Sequence, residues 1–303
     1  MPKTHLQYFF AGILSFAIWG FFSIPLRNLK AFPSEEILYY RIFTSLVFIW
    51  LAIALFRNKE LKKDFIYISS VSKRERINIG LQILIATIFL VLNWYAYIYA
   101  VNHVSLQSAA FAYMVCPLLT AFGGFVILKE TLSRTKLIGL VIALISIAFL
   151  ATGSFHDVAW SVVIALLYAL YLVLQRKMQH LDKLNVLAVQ IALAVVLLLP
   201  FYISKHEAFP EEISFWSNII VVAVVFTIIP LFLSLYALIG IPSSTLGIII
   251  YINPIIAFTV AIVYFNEELD PHKLFAYLLL LISIIVFNWS IIKDIFTFRG
   301  TKK

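Results

Sequence analysis

Charge is scarce in this chain of 303 residues: 13% are Asp, Glu, Lys or Arg, against about 25% in a globular domain. Cysteine is nearly absent. Cys116 stands alone inside an apolar run, so no intrachain disulfide can form and the redox compartment is not encoded. What fills the space is apolar: 63% of residues, with a mean hydropathy of +0.99. No domain of this size can hide so much apolar surface from water. A cytosolic enzyme, a secreted disulfide scaffold and a disordered tail are therefore excluded, and the solvent for most of the chain is lipid.

Other absences narrow the chemistry. No Asp or Glu falls in the middle of an apolar run, so the buried carboxylate of a proton-coupled pump is missing. The six histidines (His5, His103, His156, His180, His206 and His272) stand in connections or at the edges of runs. There is no HExxH, no cysteine cluster and no phosphate-binding glycine loop, so neither a metal nor another cofactor nor an ATP-binding subunit is implied. Paired carboxylates and Ser/His/Asp constellations are likewise absent from the apolar core, which argues against an enzyme.

A bilayer core of about 30 Å needs about 20 largely apolar residues per helix. Ten such runs occur: 6–25, 37–56, 77–101, 106–128, 137–152, 158–174, 184–203, 215–238, 243–265 and 274–292. The expected fold is an all-α integral membrane protein of ten transmembrane helices. The first run exceeds a signal-peptide core and lacks a small-residue cleavage site, so it reads as an uncleaved span. With the N-terminus inside, 18 Lys and Arg residues fall on the inner face and 4 on the outer (Arg27, Lys30, Lys205 and Lys273), with Arg41 inside a span. That bias predicts both termini in the cytoplasm. The net charge of +8 thus follows membrane sidedness and implies no nucleic-acid partner. The basic loop 57–76 is expected to touch anionic headgroups.

The chain also aligns with itself at an offset of 137. Tyr99-Ala100 matches Tyr236-Ala237, Pro117 matches Pro254, and Glu130 matches Glu267. Further on, Lys136-Leu137 matches Lys273-Leu274, and Leu144-Ile145-Ser146-Ile147 matches Leu281-Ile282-Ser283-Ile284. Five spans per half is an odd number, so the second copy enters the membrane upside down. The expected organisation is two inverted five-helix repeats, residues 1–154 and 155–303, the architecture of many secondary transporters.

Polar residues recur at helical spacing along several spans. Gly12, Ser15, Trp19 and Ser23 share a face of the first; Gln82, Ala86, Asn93 and Tyr97 share one of the third, with Trp94 beside them. The fourth offers Tyr113, Pro117, Thr120 and Gly124, the sixth Tyr168, Tyr171 and Gln175, and in the ninth Tyr251 and Asn253 flank Pro254. Such stripes serve interhelical hydrogen bonding as readily as solute binding; together they predict a polar, aromatic-lined cavity between the halves. The paired prolines would free backbone carbonyls at flexing points. Arg41, about five residues from the outer end of its span, either snorkels, pairs with a carbonyl, or serves an anionic solute group. Glu130 and Glu267 read mainly as structural acids capping the helices that follow them.

These residues resemble the drug/metabolite transporter superfamily, specifically EamA-type permeases of the RarD (chloramphenicol-sensitivity protein) group. The resemblance spans nearly the whole chain. It is carried by Ala17-Ile18-Trp19-Gly20, by Pro33-Ser34-Glu35-Glu36-Ile37-Leu38 leading into Tyr40-Arg41-Ile42, and by Asn93-Trp94 followed by Ala100-Val101-Asn102. Tyr251-Ile252-Asn253-Pro254 and Phe265-Asn266-Glu267-Glu268 resemble the group's second-half signature. It implies two EamA repeats in a bacterial inner membrane, carrying small metabolites or amphiphilic compounds, often outward and without ATP. Trp19, Arg41, Asn93 and Asn253 carry over as motif positions. Two departures stand out: Cys116-Pro117 replaces the Asn-Pro of close relatives, and Gln190 stands where an acid is common.

The expected function is therefore ATP-independent carriage of small organic solutes, amino-acid-like or aromatic, by a monomer or homodimer. A lipid-carrier flippase and, more remotely, an integral-membrane enzyme working at the headgroups remain as alternatives.

Overall fold

The computed structural model describes residues 3–129, 132–178, 180–205, 209–240, 249–268 and 271–289. Among the described residues every regular element is helical. Lipid supplies no hydrogen bonds, and a helix is the single-segment structure that satisfies its own backbone. The first crossing joins α1 (Lys3–Gly20) and α2 (Ser23–Asn28); α3 (Ser34–Phe56) is the second. After α4 (Asn58–Ser70) come α5 (Lys73–Tyr99), α6 (Leu106–Leu128), α7 (Arg134–Gly153), α8 (Phe155–Lys177) and α9 (Lys183–Lys205). Then follow α10 (Ile213–Ala223), α11 (Ile229–Gly240), α12 (Ile252–Thr259) and α13 (Pro271–Phe287).

Among the described residues eight helical stretches are long and apolar enough to cross a membrane, and Ile252–Tyr264 and Pro271–Phe287 are shorter apolar helices. Residues 243–248 and 290–292 of the last two expected spans lie outside the described residues. Serines start four of the helices. Ser72, Ser105, Ser133 and Ser154 each accept, through the side-chain oxygen, an amide three residues on, at 3.0–3.4 Å. Each satisfies one of the donors that a helix start leaves without a partner.

The bundle is sorted for lipid. Leu55, Phe56, Leu144, Val196 and Ile213 face outward, while Ser15, Arg41, Asn93, Gln190 and Thr227 are buried. Among the described residues three segments wind as π-helix: Ala100–Val104 continuing α5, Val224–Ile228 joining α10 to α11, and Val260–Tyr264 continuing α12. Such a segment leaves the i→i−4 ladder and often marks a functional position.

Two local expectations change. The stretch 57–76, read as a loop, contains α4. Leu61, Phe65 and Ile68 recur at helical spacing there; Leu61 and Ile68 pack partly on the core, and Phe65 points outward. Nor do the matched prolines occupy matched helices. Pro117 lies inside the continuous α6, whereas the chain turns at Ile250–Tyr251, so Pro254 falls in the first turn of α12. There it removes no intrahelical bond.

Packing between the halves is reciprocal. Helix α1 packs on α11 and α12, while α8 packs on α5 and α6. Between α7 and α13, the Ser146 hydroxyl donates to the Ala276 carbonyl and the Ser283 hydroxyl donates to the Gly139 carbonyl, both at 2.7 Å. Ser146 and Ser283, like Gly139 and Ala276, are 137 positions apart. Helices α3 and α9 are tied at both ends, by Arg57–Asp182 at 2.6 Å and by Glu35–Lys205 at 3.7 Å. Lys129 and Asn266, also 137 apart, are the non-glycine residues with positive φ among the described residues, at 59° and 51°.

The α7–α13 crossing depends on Gly139. A Cβ there would lie 2.7 Å from the Phe287 Cβ and 2.9 Å from its Cα, so the helices would have to separate. Gly139→Val should lower stability by about 1–3 kcal/mol, whereas Gly80→Val, with nothing within 4 Å of the added carbon, should change it little. Thermal unfolding of the purified protein checks both; equal effects would contradict the close crossing.

Candidate solute site

Helices α3, α5, α6 and α8, the α1–α2 junction and the π-helical segment Val224–Ile228 converge on an aromatic cluster around Arg41. Its guanidinium lies 4.4 Å from the centroid of the Trp94 ring and 4.9 Å from that of Phe22. Phe22 stacks on Tyr97 at 5.6 Å and on Phe226 at 5.5 Å. From Tyr97 the ring contacts continue to Tyr113 at 5.4 Å, Tyr168 at 5.8 Å and Tyr171 at 5.8 Å.

Arg41 is 3% exposed, so it does not snorkel. It does not pair with a carbonyl either: its Nε donates to the Thr227 hydroxyl at 3.2 Å, and Nη1 has no partner. Among the described residues no carboxylate pairs with it. Removing an ion from water costs several kcal/mol. A desolvated cation–π contact returns about 2 kcal/mol and a hydrogen bond from a charged donor about 1.5–3 kcal/mol. The cluster stabilises the cation and leaves the Nη1 donors of its fork open.

Thr227 reaches Arg41 from the π-helical segment Val224–Ile228, where its own hydroxyl donates to the Val222 carbonyl at 2.9 Å. The same segment receives Trp19, whose indole N–H donates to the Phe226 carbonyl at 2.9 Å. Irregular backbone next to a membrane site offers carbonyls to such donors. Nearby, the Ser15 hydroxyl donates to the Pro230 carbonyl at 2.6 Å. Asn93 is fully buried; its amide donates to the Ile164 carbonyl at 2.9 Å and its Oδ1 has no partner.

The tyrosine chain ends on Gln190. Tyr171 donates to its Oε1 at 3.4 Å and Gln175 donates to the same atom at 3.2 Å, leaving Gln190 Nε2 and Gln175 Oε1 without partners. Asn253 and Pro254 are buried on α12, and Tyr251 is buried in the turn just before it. No ring contact or hydrogen bond among the described residues joins Asn253 or Pro254 to the Arg41 cluster. Pro117 is half-buried in α6. Sequence reasoning missed Phe22 and Thr227, both of them remote from Arg41 along the chain.

A polar recess of about 370 Å³ opens at the end of the bundle, lined among others by Arg27, Lys30, Gln107, Glu267 and Lys273. No residue of the Arg41 cluster lines it. Glu267 does not cap the helix that follows it. Its carboxylate accepts from the Leu106 and Gln107 amides at the start of α6, at 3.2 and 3.3 Å, and pairs with Arg27. Arg27 also donates to the Val101 carbonyl and covers the Phe265 ring, and Gln107 donates to the Glu268 carbonyl. The loop conformation at Asn266 turns Glu267 toward the other half of the chain. Glu130 lies outside the described residues.

Long apolar helices sorted for lipid around buried polar groups define a multi-pass membrane protein. The comparisons with known proteins name the class. The EamA-like transporter family matches residues 6–152 and again 157–289, so the chain belongs to that family. It is 29% identical to the uncharacterized transporter YojE of Bacillus subtilis, covering 92% of this chain and 93% of that one. It is 25% identical to protein RarD of Streptomyces exfoliatus, over 96% of this chain and 90% of that protein. Protein RarD of Escherichia coli is 21% identical, with 96% of each chain covered. A crystal structure 15% identical in sequence covers 92% of this chain with a TM-score of 0.62, a likeness of fold. The chain is thus an EamA-type permease of the RarD group, a membrane transporter of small molecules.

Glu267→Gln removes the charge that holds the start of α6. Hydrogen bonds to charged groups contribute about 1.5–3 kcal/mol, so exchange at the Leu106 and Gln107 amides should speed up on the order of tenfold. Hydrogen–deuterium exchange read by mass spectrometry checks this, and unchanged protection would remove Glu267 from that role.

Proposed function

We propose that the chain is an ATP-independent carrier of small organic solutes that works by alternating access between two inverted five-helix repeats, residues 1–154 and 155–303. The observation that carries the reading is the reciprocity of the contacts between the halves. Ser146 reaches Ala276 as Ser283 reaches Gly139, and α1 meets α11 and α12 as α8 meets α5 and α6. Residue i meeting j′ while i′ meets j is the mark of a two-fold relation. The two separate stretches matched by the family support the same division.

Such a pair of halves has two ways to rock around a central site, and each exposes the site to one face. The Arg41 cluster is the site in this reading. The Arg41 cation of the first half meets hydroxyls and rings from both halves there, with Thr227 and Phe226 coming from the second half. The recess at Glu267 belongs to the outer closure, where Arg27 and the start of α6 meet the segment that follows α12. The excess of basic residues on one face supports a bacterial inner membrane with both termini in the cytoplasm. Export is the direction the family resemblance favours.

Reconstituted vesicles test the carrier. Flux of a transported solute should saturate with concentration, and flux that stays linear would point to a pore. An imposed proton gradient should not drive accumulation, because the described spans hold no midplane carboxylate; accumulation above equilibrium would contradict that.

A further inference from the structure

The carrier reading leaves the chemical class of the solute open, and Arg41 speaks to it. A guanidinium presents donors in a flat fork suited to a carboxylate, and here one arm is engaged while Nη1 has no partner. The side chain is 3% exposed and clamped by Trp94 and Phe22, so its direction is set. No described carboxylate neutralises it. Around it, Tyr97 and Tyr113 offer aromatic faces and hydroxyl groups.

We propose that Arg41 receives the carboxylate of the transported solute, and that the solute's body is aromatic or otherwise apolar. This rests on the carrier reading. A carboxylate oxygen accepts from Nη1, which supplies the counter-charge the protein lacks. The apolar body then lies among the rings of Tyr97, Tyr113 and Trp94. Binding needs the halves to part, because the cluster is closed in this structure and Thr227 belongs to the second half. Solute arrival and neutralisation of the buried cation are therefore one event. A site of this kind prefers a carboxylate to a neutral amide of the same shape and rejects an amine, since the amine would bring a second cation next to Arg41.

Full-length protein in lipid nanodiscs, titrated at neutral pH with 3-phenylpropionate, 3-phenylpropionamide and 3-phenylpropylamine, tests this. Tryptophan fluorescence reports binding, since Trp94 lies against the guanidinium. The carboxylate should bind at least tenfold more tightly than the amide, and the amine should not saturate. Arg41→Gln should bring the carboxylate down to the amide's affinity. Arg41→Lys keeps the charge without the fork; it should retain the preference for carboxylate with weaker binding, and covers the case in which Arg41→Gln does not fold. Equal affinity for carboxylate and amide, a preference that survives in Arg41→Gln or vanishes in Arg41→Lys, or no saturable binding of the carboxylate would overturn the proposal. Saturable flux alongside any of these would leave the carrier standing without its anion. Linear flux would remove the carrier itself.

Discussion

Lipid offers no hydrogen bonds, so a polar group of a spanning helix is stabilised only where another part of the chain meets it. That constraint orders the whole bundle. Apolar side chains can face anywhere, and many of the largest face outward. Polar side chains cannot, and they become the contacts that fix which helix lies against which. Ser15 on Pro230, Asn93 on Ile164, Ser161 on Ser108 and the Ser146 and Ser283 pair each tie a hydroxyl or amide to a carbonyl on another helix. Each is worth only about 0.6 kcal/mol, too little to hold a bundle by itself. Their value is in direction, because an unmatched polar group in hydrocarbon costs more than a matched one returns.

A bundle held by many weak, directional contacts can exchange one arrangement for another. The contacts between α7 and α13 bind close-packed backbones, with Gly139 against Phe287 leaving no room for a side chain. The ends of the bundle are built differently. Arg27–Glu267 and Arg57–Asp182 are part-buried ion pairs within reach of water. A tight seam with latches at its ends suits a rocking motion.

Much of this fold was legible in the sequence because hydropathy in a membrane protein is a statement about solvent. Among the described residues eight membrane-length helices match eight of the expected runs to within a few residues at each end, while the last two runs contain shorter apolar helices. The polar stripes were legible for the same reason, and Trp19, Asn93, Tyr97, Tyr113 and Tyr168 are all tied into interhelical contacts. What was not legible depends on two segments at once. Arg41 alone did not reveal that Thr227 and Phe22 would meet it, over a separation of 186 residues for Thr227. Glu267 looked like a cap for its own neighbour because helix starts attract acids, yet the turn at Asn266 sends it to α6. The π-helical segments and the break before Pro254 are backbone outcomes of packing, without a residue pattern to announce them.

The central claim is that the two halves rock about a closed seam, and reciprocal distances test it most directly. Spin labels at Lys30 and Ser217 would report the outer end, and labels at Lys62 and Lys177 the inner end; all four side chains are exposed. Pulsed dipolar spectroscopy in nanodiscs should show one distance lengthening as the other shortens when a transported solute is added. Two distances that rise and fall together, or neither changing under saturable flux, would contradict the account.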